Sequence, residues 1–163
     1  MAMDRIIDDI DERILNALTK DARTSNAELA RQIGMAPSAI LERVRKLEER
    51  GIIEGYAPRI NPRALGLNLL AFVFVRTDEG VGAVTTASQL GKAQEIQEVH
   101  HVAGEDCLLV KLRARDTDDL SRILKEVFGP IKSIRSTRTT IVLETIKETP
   151  ILPIGRAARE TRR

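Results

Sequence analysis

Two short helical-period segments hinged at Gly34 and Pro37 are followed after residue 68 by strand-period patterning, with two more amphipathic stretches set among the strands. These observations predict an α+β chain in two parts. The first part is three helices and a hairpin, an N-terminal winged helix-turn-helix. The second is a C-terminal ferredoxin-like βαββαβ unit. The expected boundaries are 1–60 for the helical unit, 61–68 for a linker, 69–147 for the βαββαβ unit and 148–163 for a basic C-terminal tail.

Residues 8–20 read as the first helix, with Asp8, Asp9 and Asp11 suited to its first turn and Ile7, Ile10, Ile14 and Leu18 as its buried stripe. Ser25 or Asn26 caps the second helix, which buries Leu29, Ala30 and Ile33 and stops at Gly34. Ala30 lets the helices touch, and Gly34, four residues on, makes the bend. Pro37 opens the third helix, where a missing N–H costs nothing, and Ile40, Val44 and Leu47 follow at helical spacing up to Gly51. Ile52 to Ile60 reads as a short hairpin, the wing, and Asn61-Pro62 with Gly66 marks the linker.

In the second half, Leu69 to Arg76 is a strongly apolar strand. Val81, Val84, Ala87 and Leu90 make a helical face that ends at Gly91. Ile96 to Ala103 and Cys107 to Ala114 are strands joined by a Gly104-Glu105-Asp106 turn. An acidic first turn at Asp116–Asp119 opens a helix lined by Leu120, Ile123, Leu124 and Val127 and closed by Gly129-Pro130. Ile131 to Lys147 is the last strand. Both helices fall on one face of the sheet, and the apolar residues on both sides of strand 69–76 predict a second subunit's sheet against the other. The tail from Pro150, with Pro, Gly and four Arg, is expected to be partly ordered at best.

Composition narrows the function. Hydrophobic content of 42% is enough for an ordinary core, while 2% aromatics makes that core aliphatic and excludes single-strand nucleic-acid binding on stacking platforms. A lone Cys107 excludes an internal disulfide, the longest apolar run is too short for a bilayer, and the N-terminus has no signal-peptide pattern, so a cytoplasmic, membrane-free protein is expected. The net charge is only +2, and residues 1–60 hold ten Lys/Arg against eleven Asp/Glu. Phosphate neutralisation dominates DNA affinity, so one such module is expected to bind poorly and several to act together.

A helix-turn-helix presents its second helix to the major groove of double-stranded DNA. With Ile40, Val44 and Leu47 inward, the outward residues are Pro37, Ser38, Ala39, Glu42, Arg43 and Lys46. Ser38 is expected on base or phosphate and Ala39 on a thymine methyl, with Arg43 the best candidate for bidentate guanine reading. Lys46 and Arg50 are expected on phosphates, as are Ser25 and Asn26 through backbone N–H groups, with Arg45 and Arg59 behind them. The competing reading is a solvated face of i,i+4 pairs such as Glu42 to Lys46.

The order of motifs resembles the leucine-responsive/asparagine-responsive (Lrp/AsnC) family of prokaryotic transcription regulators. The matching segments are Ile10–Leu15, Leu41–Glu48, Gly51–Tyr56, Ile96–Gly104 and Ser136–Glu144. The resemblance implies a homodimer built through the C-terminal sheets, often assembled into tetramers or octamers, with an amino acid or similar small effector bound between dimers. It also implies that the loop Gly104, Glu105, Asp106, Cys107 contacts the effector. Many relatives carry Asp where Cys107 stands; this chain offers Asp106 one residue earlier. Thr137, Thr139 and Thr140 are candidate polar partners on the last strand.

His100 and His101 are adjacent on a strand and face opposite sides, so no metal site is expected. Neither a P-loop nor a dinucleotide fingerprint is present, and no catalytic set or cofactor is expected. The function expected is a sequence-specific, effector-modulated DNA-binding transcription regulator. The alternative is a nucleoid-organising architectural protein with little effector control.

Overall fold

A computed structural model describes residues 7–80 and 83–155. The chain divides into two compact units: one runs to Arg59 and includes the segment from Glu148, and the other spans Ile60–Lys147.

The helical unit holds α1 (Asp9–Lys20), α2 (Asn26–Ile33) and α3 (Pro37–Glu49). Asp8 starts α1 with a capping box: its carboxylate accepts from the N–H groups of Ile10 and Asp11, and the Asp11 side chain accepts from Asp8 N–H. Ser25 caps α2 by accepting from Glu28 N–H, and Gly34 ends it at φ 81°, where only glycine is unstrained. Pro37 stands at the start of α3, and Gly51 closes it in a Schellman motif, donating to Glu48 O while Ile52 N–H reaches Leu47 O. Ile14, Leu15, Leu29, Ala30, Ile40, Val44 and Leu47 form the core.

One expectation for this unit is corrected. Residues 54–60 carry no strand ladder, so the wing is a single irregular arm rather than a hairpin. Ile52 and Ile53 turn their N–H groups onto Leu47 O to finish α3, and Pro58 has no N–H to offer a partner strand. The tail is ordered in part over its described residues, in line with expectation. Ile154 packs against the helical core, and Arg59 donates to the Glu148 carbonyl at 3.3 Å. Residues 156–163 lie outside the described residues.

The second unit begins at the expected linker, where Pro62–Leu65 form a 3-10 turn capped by Asn61. It continues as β1 (Leu69–Thr77), α4 (Thr85–Leu90), β2 (Ile96–His101), β3 (Leu108–Ala114), α5 (Thr117–Ile123) and β4 (Ile134–Ile141). The four strands lie in the order β2-β3-β1-β4, all neighbours antiparallel, which is the expected ferredoxin-like arrangement. Ala71, Val73 and Val75 of β1 and Leu108, Val110, Leu112 and Ala114 of β3 form one buried cluster with Leu90 of α4, Leu120 and Ile123 of α5, and Phe128.

β4 stops well short of Lys147. Val142 N–H still reaches Leu70 O, but β1 offers nothing beyond Leu69 to pair with. β2 likewise ends at His101, opposite the first residue of β3. α4 starts later than expected: Val84 is exposed at its N-cap, Val81 is outside the described residues, and Thr86 is buried with Leu90 instead. The Thr86 hydroxyl is satisfied by Ser133 Oγ at 2.5 Å.

Candidate functional site: nucleic-acid interface and effector loop

The residues of α3 sort by direction. Ile40, Val44 and Leu47 face the core. At 3.6 residues per turn, Ser38, Glu42, Arg45 and Glu49 then lie on the opposite face. Ala39, Arg43, Lys46 and Arg50 share a flank, lining a groove with Asp11 and Met35. Pro37 and Ser38 are exposed at the helix start, Ser25 is occupied in capping α2, and Asn26 is the first residue of that helix.

Arg43, expected to read guanine, is turned back into the fold. Its Nη1 donates to Asp8 Oδ2 at 2.7 Å and to Asp11 Oδ1 at 2.8 Å, and its side chain is only 28% exposed. The Asp11 N–H and then the Arg43 guanidinium hold the Asp8 carboxyl below its ordinary value, and the two carboxylates raise Arg43. Arg43 thus ties α3 to the N-terminus of α1. Sequence spacing placed Arg43 among the outward residues; the partners that turn it back lie more than thirty residues away.

Arg45 occupies the position that Arg43 was expected to fill. It is 58% exposed on the outward face, its Nη2 donates to both Glu42 oxygens at 3.1 Å, and its Nη1 is 3.4 Å from Glu49. Lys46 Nζ lies 3.4 Å from Glu42. Arg45, then Lys46, lower the Glu42 carboxyl, so it is ionised at neutral pH. A helical wheel anchored on Ile40, Val44 and Leu47 is the sequence signal that separates Arg45 from Arg43.

The candidate effector loop joins β2 to β3, with Gly104 at φ 124°, a conformation that side chains resist. Cys107 N–H donates to Val75 O, and its thiol is half-buried near Thr77 O. Asp106 accepts from Arg138 of β4 at 2.8 Å, and that guanidinium lies 4.1 Å over the Phe74 ring. Glu105 is 92% exposed, with Arg76 at 3.5 Å.

The structure does not gather the three threonines. Thr137 and Thr139 pair with Val75 and Val73 on the helix side, whereas Thr140 pairs with Phe72 on the open side. His100 and His101 are opposite Leu109 and Leu108, hence on opposite faces. Among the described residues no cluster fit to hold a metal is found, and no helix is long and apolar enough to cross a membrane.

A helix-turn-helix unit joined to a ferredoxin-like unit defines a class: transcription regulators that couple a DNA-binding module to a small-ligand domain. Residues 7–54 match the winged helix-turn-helix DNA-binding family, and residues 70–152 match the Lrp/AsnC ligand binding domain. The chain belongs to the Lrp/AsnC family and is a helix-turn-helix transcription regulator, not an enzyme.

The leucine-responsive regulatory protein of Escherichia coli K12 is 40% identical, covering 91% of this chain and 92% of its own. The HTH-type transcriptional regulator FL11 of Pyrococcus abyssi is 40% identical, covering 91% and 97%. Among solved structures, E. coli AsnC superposes with a TM-score of 0.83 at 32% identity, over 90% of this chain and 98% of that one. A Neisseria meningitidis transcriptional regulator in complex with L-Met gives 0.85 at 27% identity, over 93% and 99%.

Proposed function

We propose that this regulator works as a homodimer or larger assembly, to the tetramer or octamer, whose grip on double-stranded DNA is set by an amino acid or similar small effector bound between dimers of the C-terminal unit. The observation that carries this reading is the Gly104–Cys107 loop, fastened to β4 through Asp106 and Arg138 and open at Glu105. A conformational change in that loop reaches the strand beside Phe72 and Phe74, on the sheet face that no helix covers. That face combines half-buried Phe72, Phe74 and Leu109 with Arg138 and Lys111, the composition of a surface completed by a second copy. Relatives solved with L-methionine support the ligand class.

Asp106 is held by Arg138 at 2.8 Å and Glu105 by the longer 3.5 Å contact to Arg76, so Glu105 is the carboxylate more readily released to a ligand ammonium. Ligand that favours one assembly changes the spacing of recognition helices, and DNA in turn changes ligand affinity by the same factor. The cytoplasm is the expected compartment.

The test is a thermal-shift screen of the twenty amino acids, with sedimentation of the full chain with and without each. One amino acid should raise the Tm, by an amount equivalent to about 2.7 kcal/mol at a hundredfold excess over Kd, and shift the assembly. Glu105→Ala should abolish that shift while leaving ligand-free DNA binding intact. No response to any amino acid, with DNA binding present, would overturn effector control and favour the architectural role.

A further inference from the structure

Glu42 stands in the middle of the face of α3 that points away from the core, where a helix approaching DNA phosphates meets repulsion for any carboxylate. It is not solitary. Arg45 Nη2 donates to both of its oxygens, one turn along the same face, so the two side chains already form a contiguous edge of N–H donors followed by a carboxylate acceptor.

In the major groove a G·C pair displays guanine N7 and O6 as acceptors and then the cytosine N4 amino group as a donor. The Arg45–Glu42 edge is the complement of that row. An A·T pair displays acceptor, donor, acceptor and mismatches it at two positions. We propose that Glu42 and Arg45 act as one unit that reads a single G·C pair, with Arg45 on guanine and Glu42 on the cytosine amino group. This assignment rests on the reading of α3 as the DNA-facing helix. It gives Glu42 a role in specificity that a phosphate-binding face has no use for. It also makes the orientation of the base pair matter, because the row is not symmetric.

The experiment is binding-site selection from random duplexes with the full chain, followed by affinity measurements on the selected site with one base pair changed at a time. The variants are Glu42→Ala, Arg45→Ala and, as a charge control away from this pair, the exposed Glu54→Gln. Circular dichroism and the Tm confirm that each retains the fold, as expected for exposed side chains. The unsubstituted chain should lose on the order of tenfold to a hundredfold in affinity when one particular G·C pair becomes A·T. Glu42→Ala and Arg45→Ala should both lose that discrimination at the same base pair, and Glu54→Gln should keep it.

Discrimination that persists in Glu42→Ala, or losses at two different base pairs, would overturn the proposal while leaving α3 as the DNA-facing helix. Selection that yields no preferred sequence for the unsubstituted chain would overturn sequence-specific binding and this assignment together.

Discussion

The two units solve the same problem with the same chemistry and differ in what they leave exposed. In each, aspartates at the start of a helix hold arginines. Asp8 and Asp11 of the first helix hold Arg43 of α3. In the sheet unit, buried Asp119 accepts from the Arg115 N–H at 3.0 Å and from Arg122 Nη2 at 2.9 Å, and Arg122 also reaches Glu95 and Glu126. The Arg115 backbone N–H, followed by the two guanidinium groups, holds the Asp119 carboxyl far below its ordinary range.

Beyond these clusters the units diverge. The helical unit presents Arg45, Lys46 and Glu42 on an outward charged face, whereas the sheet unit presents Phe72 and Phe74 with Arg138 lying over Phe74. A charged surface fits a polyanion, and an aromatic face with a few charges fits another protein surface. Arginines in this chain therefore divide into those that hold the fold and those that present a surface.

The largest expected effect tests whether the units are energetically separate. Leu29 lies fully buried in the helical core and Leu112 fully buried in the sheet core. Leu29→Ala should cost about 2–5 kcal/mol and lower one calorimetric transition, and Leu112→Ala should cost a similar amount and lower the other. If both substitutions moved a single transition, the units would fold as one cooperative body and the contrast between them would be only of surfaces.

A smaller effect sharpens the division among arginines within α3. Arg43→Ala removes two charge-assisted hydrogen bonds, one of them to the nearly buried Asp11, and should destabilise the helical unit by about 1–2 kcal/mol. Arg45→Ala should leave the Tm unchanged and weaken binding to the selected site. Chemical denaturation and gel-shift titration of the two variants make the check. A stable Arg43→Ala protein that fails only in DNA binding would return Arg43 to the role its sequence position first indicated.

That exchange of roles shows where the sequence was legible. Local chemistry was readable: the acidic start of α1, the Ser25 cap, the Gly34 stop, Pro37 at the start of α3 and the alternation along β3 all act over a few residues and fell where expected, although Asp8, expected inside the first turn of α1, is its cap. So did the order of elements, because helical and strand periods separate cleanly in aliphatic segments. What the sequence hid depends on distant partners. Arg43 looks like a recognition residue until Asp8 and Asp11 are brought beside it. Ile154 reads as one more residue of a partly ordered tail until it meets the helical core. A β-branched run after Ile141 reads as strand although β1 has ended. The candidate effector residues come together only in part: Glu105 and Asp106 lie on one loop, but the register divides Thr140 from Thr137 and Thr139.

The smallest expected effect isolates the Asp8–Arg43 pair by pH. Asp8 has a folded-state pKa below its ordinary 3.8, and Arg43 remains charged throughout. A depressed carboxylate stabilises the folded unit above its unfolded-state pKa, and that contribution is lost as the pH falls through the folded value. The window is thus below about pH 4, and neutral pH shows the full contribution. Asp8 is half exposed, so screening keeps the term to about 0.5 kcal/mol. Asp8→Asn should therefore flatten the acid limb of the helical unit's stability slightly. The same substitution in an Arg43→Ala background should flatten it less, because Asp8 then keeps only its hydrogen bonds from the N–H groups of Ile10 and Asp11. An equal change in both backgrounds would assign the Asp8 shift wholly to the helix cap and remove Arg43 from the electrostatics of α1.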